Sequence, residues 1–296
     1  MAGGNYIQIE SMSNTSPNSD DNLIDSAKGT ALLLGPIIVL KTIIQYKELL
    51  RNFIFRDVKL QYRDSIFGWA WSIAEPLMLS VVYYFFFTIL RDVPDRAYTF
   101  WVIVGVIVWS LFTKCFVACV ESIKKNKSMI QQVFFPREIF PLSIVGSQLI
   151  ISLFSMIIAV PFMVYFDQPL NINILWVPVG IALTVTLALG LGMLLAPLNV
   201  VHNDVFHVTR VATRAGFFVT PVLWTIEMAG PRGNYLDYLL LNPMAVPITM
   251  VRNGFRGVPI GIESHFVWYS VIFCILAFCF GTMIFKKFES KVVKYL

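Results

Sequence analysis

Six apolar runs, at residues 69–90, 100–120, 140–166, 175–201, 205–226 and 266–285, constrain this chain more than any other feature. Each is long enough to cross the roughly 30 Å of hydrocarbon in a bilayer. In lipid every backbone N–H and C=O must be satisfied internally, which makes each run a helix. Composition points the same way: 57% of the residues are hydrophobic and 14% charged, where a soluble domain carries about 25% charged residues. The fifth run is the least regular, because Arg210 and Arg214 must either reach the headgroups or line a polar interior. The expectation is an all-α integral membrane protein with six transmembrane helices.

Bases orient the bundle, since loops on the cytoplasmic side retain Lys and Arg. Most of the 23 bases fall on one side. Only Arg91, Arg96, Arg232, Arg252 and Arg256 fall on the other, and Lys114 lies within a span. Both termini are therefore expected on the cytoplasmic face. Residues 1–30 read as a disordered tail rich in Asn, Ser, Asp and Gly, and Lys28 is its only base. A late apolar stretch interrupted by Pro36 makes a cleavable signal peptide unexpected.

Three segments outside the runs carry amphipathic patterns. Residues 31–68 form an interface-helix region: Tyr46, Leu49, Leu50, Phe53, Ile54 and Val58 recur at helical spacing among Lys47, Arg51, Arg56, Lys59 and Arg63. Membrane anchoring and docking of a cytoplasmic partner are both open for it. Between the second and third runs, Ser128, Met129, Ile130, Val133, Phe134 and Phe135 precede Pro136, which predicts a short helix capped by Ser128. Its apolar residues need cover from lipid or protein. In the last outer connection, stretches 235–241 and 245–255 flank Asn242-Pro243 and read as re-entrant or interfacial helices before the last span. The transmembrane domain is taken as 69–296.

Chemistry of the usual catalytic kinds is missing. No Gly-x-x-x-x-Gly-Lys-Ser/Thr phosphate loop occurs, so energy from a nucleotide must be delivered by another chain. His202, His207 and His265 are scattered, and Asp204 with His207 reads as an interfacial cap. Cys115, Cys119, Cys274 and Cys279 lie inside apolar runs with no ligand partners at metal spacing. No catalytic residue, no metal and no cofactor bound by this chain are expected.

Four blocks resemble the membrane subunits of type-2 ATP-binding-cassette polysaccharide exporters. They are Asp57-Val-Lys-Leu-Gln-Tyr-Arg-Asp-Ser-Ile-Phe-Gly-Trp-Ala-Trp with Glu75-Pro-Leu, Phe135-Pro-Arg-Glu-Ile-Phe-Pro-Leu-Ser, Thr220-Pro-Val-Leu-Trp, and Asn242-Pro-Met-Ala. They stand in the family's order from about residue 42 onward, while the long N-terminal tail departs from the pattern. The resemblance implies a homodimer in the bacterial inner membrane, paired with two copies of an ATPase subunit that holds ATP and Mg. Its substrate would be a lipid-linked polysaccharide such as O antigen, capsule or teichoic acid, with no nucleic-acid partner.

The resulting candidate residues form three groups. Tyr83, Tyr84, Phe87, Trp109 and Trp224, with Arg210, Arg214 and Lys114, are expected along a substrate channel between two copies, lined by the first and fifth spans. Arg56, Lys59 and Arg63 are candidates for anionic headgroups or a lipid pyrophosphate, with anchoring by charge the plainer alternative. Residues 128–135 are expected to couple to the ATPase. A type-2 exporter of drugs or small lipids would share these features. A membrane-embedded glycosyl- or acyltransferase would need an acid–base constellation that the sequence does not offer.

Overall fold

The computed structural model describes residues 34–63, 65–91, 98–132, 135–229 and 234–292, and the regular structure among them is helical throughout. Among the described residues, four helices are long and apolar enough to cross a membrane: Phe100–Lys125, Ile139–Tyr165, Ile172–Val201 and Ser264–Glu289. They belong to α4 (Tyr98–Lys125), to α6 (Ile139–Met156) continued by α7 (Ala159–Tyr165), to α8 (Trp176–Val201) and to α13 (Ser264–Val292). The expected tail at 1–30 lies outside the described residues.

The core forms where α8 packs between α4 and α13. Lipid gives helices no hydrophobic reason to associate, so the contact must come from close fit between small residues. A Cβ added at Gly281 would stand 1.9 Å from the Gly190 carbonyl oxygen, so only glycine permits the α8–α13 crossing. Cys119 acts as a small wedge between α4 and α8: a Cβ at Gly192 would meet its Cβ at 2.4 Å.

Two further helices flank this core. In α3 (Ala70–Arg91), Pro76 cannot donate to the Ser72 carbonyl one turn earlier. Ser155 of α6 supplies the missing donor, its hydroxyl lying 2.7 Å from the Ser72 oxygen. The sequence predicts a fifth helix over 205–226, yet α9 (Asp204–Val219) stops after 16 residues. Pro221 drives the preceding Thr220 to an extended conformation (φ −80°, ψ 147°), which ends the helix. At 1.5 Å per residue α9 reaches only about 24 Å.

The interface-helix region expected at 31–68 is divided. α1 (Gly35–Gln45) and α2 (Lys47–Gln61) meet at Tyr46. The apolar face of α2 rests on protein, with Phe53 and Val58 buried and the Ile54 Cδ1 occupying the notch left by Gly146 of α6. In the last outer connection the structure contains α10 (Ile226–Ala229), α11 (Asn234–Leu240) and α12 (Ala245–Arg256). α12 is buried at every position from Ala245 to Phe255, packed on α8 and α4.

The expected short helix before Pro136 is α5 (Lys127–Gln132), and two features of the expectation are corrected. Ser128 lies exposed inside the first turn and does not cap it; the Asn126 carbonyl accepts the first helical bond, from Ile130 N–H. Nor do Ile130 and Phe135 await a partner. Ile130 is buried, and the Phe135 ring packs 6.0 Å from Phe53 and 5.4 Å from Phe140. The exposed surface of α5 is polar, formed by Lys127, Ser128, Gln131 and Gln132. Val133 and Phe134 lie outside the described residues.

Candidate functional site

α4, α3 and α9 enclose an open cleft made of two adjoining cavities. The first, about 470 Å³, is lined by residues that include Glu75, Leu79, Trp109, Lys114, Arg214 and Phe218. The second, about 420 Å³, continues past Lys114 and Arg214 to Arg210, Glu121, Gln61 and Gln148. Lys114, Thr113, Thr213 and Arg214 belong to both. Each volume lies within the roughly 300–1,000 Å³ usual for small-molecule sites.

Electrostatics divide this cleft. The Lys114 ammonium pairs with Glu75 at 2.7 Å, tying α4 to α3 with both side chains partly exposed. Arg210 and Arg214 are exposed one turn apart on α9, and among the described residues no carboxylate lies within 4.0 Å of either guanidinium. Arg210 has only the face of Phe206 beneath it, 5.6 Å from guanidinium carbon to ring centroid. The Thr113 hydroxyl, at the junction of the cavities, is buried with no hydrogen-bond partner among the described residues. Gln148 donates to Gln61 across the inner end at 2.8 Å. Next to it, burial and then the Glu75 carboxylate push the Tyr62 phenol above its ordinary value.

The structure thus brings Trp109, Arg210, Arg214 and Lys114 into one cleft. Trp109 is largely buried, its ring seated over Gly216 and 6.3 Å from Phe217. Trp224 is elsewhere, on the turn after α9, with its carbonyl accepting from Arg252 at 3.0 Å. Tyr83, Tyr84 and Phe87 fall on α3, and their side chains lie outside the described residues.

The interface-helix bases have separate fates. Arg56 is held by Asp57 at 2.7 Å and stacked on Phe53 at 4.3 Å, while the other Asp57 oxygen accepts from Ser143 at 3.0 Å. That guanidinium is occupied within α2, and Asp57 joins α2 to α6. Lys59 and Arg63 are exposed.

A second charged constellation, absent from the sequence-based candidates, lies beside α5. The Glu138 carboxylate is fully buried and accepts from Thr42 of α1 at 2.9 Å and from Lys286 of α13 at 2.7 Å. Lys286 also reaches Glu289 at 2.9 Å, and Arg137 donates to the Glu289 carbonyl at 2.7 Å. The same residues line a cavity of about 740 Å³. At the opposite pole the buried Arg252 of α12 donates to the carbonyls of Trp101, Pro221, Val222 and Trp224, at 2.8–3.2 Å. Asn242 donates to the Thr220 hydroxyl at 2.7 Å.

The four sequence blocks consequently meet in pairs. Asp57 bonds Ser143 near one pole, and Asn242 bonds Thr220 near the other. Glu138 was legible as part of the second block, and Arg252 as a lone charge on an otherwise apolar helical face. Their partners were not, being more than 25 residues away in sequence for every bond named.

This combination, a helical bundle with several apolar spans and a charged cleft along one flank, defines a multi-pass membrane protein of the transporter class. The chain belongs to the ABC-2 type transporter family, whose profile matches residues 48–256. It is similar to an O-antigen export system permease protein RfbA of Klebsiella pneumoniae, 26% identical over 242 residues, covering 81% of this chain and 92% of that protein. A protein of the same name from Myxococcus xanthus is 26% identical over 215 residues, covering 72% of this chain and 82% of the relative.

Proposed function

We propose that this chain is the non-catalytic membrane subunit of an ATP-driven exporter that moves a lipid-linked polysaccharide across the bacterial inner membrane. Family membership and the O-antigen export relatives support the reading. The observation that carries it is the cleft that α3 and α9 form with α4, with Arg210 and Arg214 unpaired among the described residues. Two such charges facing lipid would cost about 3 kcal/mol each at a span's centre, so a hydrated conduit is their natural surrounding. In this reading α3 and α9 join the four longer helices to make six spans, both termini are cytoplasmic, and a second copy closes the cleft into a channel. Tyr83, Tyr84, Phe87 and Trp109 would present aromatic faces to sugar rings, and Trp224 would stand at the outer end.

Two copies of an ATPase subunit, holding ATP and Mg, would dock below α5 on its polar face. Motion of α5 would reach α13 through Arg137 and both α1 and α13 through Glu138, while Phe135 packs on Phe53 of α2 and Phe140 of α6. Lys59 and Arg63 would meet anionic headgroups beside the cleft.

Deletion of the gene, with surface polysaccharide compared before and after, tests the reading directly. Loss of a surface glycan that this chain restores is the expected result, together with co-purification of an ATPase. Unchanged glycan combined with drug sensitivity would instead indicate an exporter of small molecules.

A further inference from the structure

We propose that Arg210 and Arg214 form a phosphate-recognition site in the cleft, one that seats the phosphate-bearing headgroup of a lipid and not its sugars. The inference rests on the export reading for its substrate, but its geometry stands by itself.

Depth comes first. Lys114 lies inside the span Phe100–Lys125, 11 residues before its end, which places it roughly 16 Å from that end at 1.5 Å per residue. Arg214 lines both cavities together with Lys114 and stands ten residues into α9 from Asp204, roughly 15 Å along that helix at 1.5 Å per residue. Arg210 is one turn nearer the start of α9, where Asn203 accepts from Lys124 at the end of α4. The two guanidiniums therefore form a short ladder running inward from one pole.

Charge comes second. Glu75 neutralises Lys114, and Glu121 lines the inner cavity without pairing to either arginine. Among the described residues the arginine forks meet no carboxylate, at a depth where an unpaired cation is costly. A guanidinium fork matches two oxygens of a phosphate, and a diphosphate offers enough oxygens for both forks. Neutral sugar hydroxyls would not repay that cost, because bonds from a charged donor are strongest to a charged acceptor.

A third observation is the Thr113 hydroxyl, buried at the junction of the cavities with no partner among the described residues. A donor left without an acceptor there is suited to a ligand oxygen. Arg56, one of the guanidinium candidates on the interface helix, is already taken by Asp57 and Phe53. The shared chemistry is thus a lipid phosphate, from either an isoprenoid diphosphate carrier or an anionic phospholipid of the bilayer.

The test uses the purified full-length chain, titrated in detergent with a long-chain polyprenyl diphosphate, with the matching polyprenol and with phosphatidylglycerol, and read by native mass spectrometry. The wild-type chain should bind the diphosphate at least about tenfold more tightly than the polyprenol, the factor that one charge-assisted bond supplies. Arg210→Gln with Arg214→Gln should erase that preference, and Arg210→Lys with Arg214→Lys should restore only part of it. Lys47→Gln, an exposed charge removed from α2, should leave it intact. Phosphatidylglycerol displacing the diphosphate at equal concentration identifies a bilayer headgroup as the occupant. Failure to displace it identifies the carrier.

Equal binding of diphosphate and polyprenol by the wild-type chain, or an undiminished preference in the double glutamine variant, overturns the site. Neither result touches the export reading, which stands or falls on surface glycan in the deletion strain. Conversely, an unchanged glycan with an intact diphosphate preference removes the export reading and leaves the phosphate site in place.

Discussion

The cluster around Glu138 and the cleft around Arg214 are both built from charged side chains, and they are finished to different degrees. At Glu138 the charges face inward and find partners: both carboxylate oxygens accept hydrogen bonds, and Lys286 bridges two acids. At Arg214 the charges face an open cavity, and among the described residues the guanidiniums of Arg210 and Arg214 meet no acid. A saturated network fixes geometry, because removing one partner strands the other in a poor solvent. An unsaturated one fixes little and leaves its bonding capacity for something that comes and goes. The first has the character of a joint, the second of a binding surface.

The largest effect that separates them is on folding. Glu138→Ala leaves Thr42 without its acceptor and Lys286 with Glu289 alone, and should cost up to about 3–5 kcal/mol, the range for breaking a buried pair. Thermal unfolding of the purified chain in detergent measures it. A loss below 1 kcal/mol would mean that the cluster is no more a joint than the cleft. Pairing Glu138→Gln with Lys286→Met should recover much of that stability, since an uncharged replacement leaves no orphan charge. Export should remain impaired in this double variant if the ion cluster, and not mere packing, transmits motion from α5.

A smaller loss is expected where α2 is tied down. Asp57→Ala removes the acceptor for both Arg56 and Ser143, worth about 1–2 kcal/mol for partly buried charge-assisted bonds. Hydrogen exchange across Lys47–Gln61 should rise while the remainder of the bundle is unchanged. Smallest of all is the effect on stability in the cleft. Arg210→Gln with Arg214→Gln should change stability by less than about 0.5 kcal/mol, as exposed unpaired side chains do, while abolishing glycan export in cells. Destabilisation comparable to Glu138→Ala would place these arginines in a structural contact and erase the contrast.

Much of the helical architecture was legible because bilayer spans must be both long and apolar, and the four described helices that are long and apolar enough to cross a membrane coincide with runs found by hydropathy. The end of the fifth run was not, because Phe217, Phe218 and Val219 continue the apolar pattern while Pro221 ends the helix through backbone sterics. The amphipathic pattern within 31–68 was recognisable as helical, but periodicity alone could not say that Phe53 and Ile54 meet Phe140 and Gly146. For α5, the apolar residues before Pro136 suggested a surface awaiting a partner, and the fold covers Ile130 and Phe135 with its own side chains.

Local chemistry therefore determined which segments are helical, where proline breaks them, and that Arg210 and Arg214 share one face of a helix. Those properties depend on spacings of three or four residues and on single-residue sterics, which the chain carries at every point along its length. Which charges are satisfied and which are left open was decided only by the tertiary structure. Glu138 and Lys286 stand 148 residues apart, and Lys114 and Glu75 stand 39 apart. Whether such residues meet depends on how closely the helices approach, which at Gly190 and Gly281 is set by the absence of a Cβ. A charge in the sequence has no solvent of its own; the packing supplies either a partner or a cavity, and that choice separates the joint from the cleft.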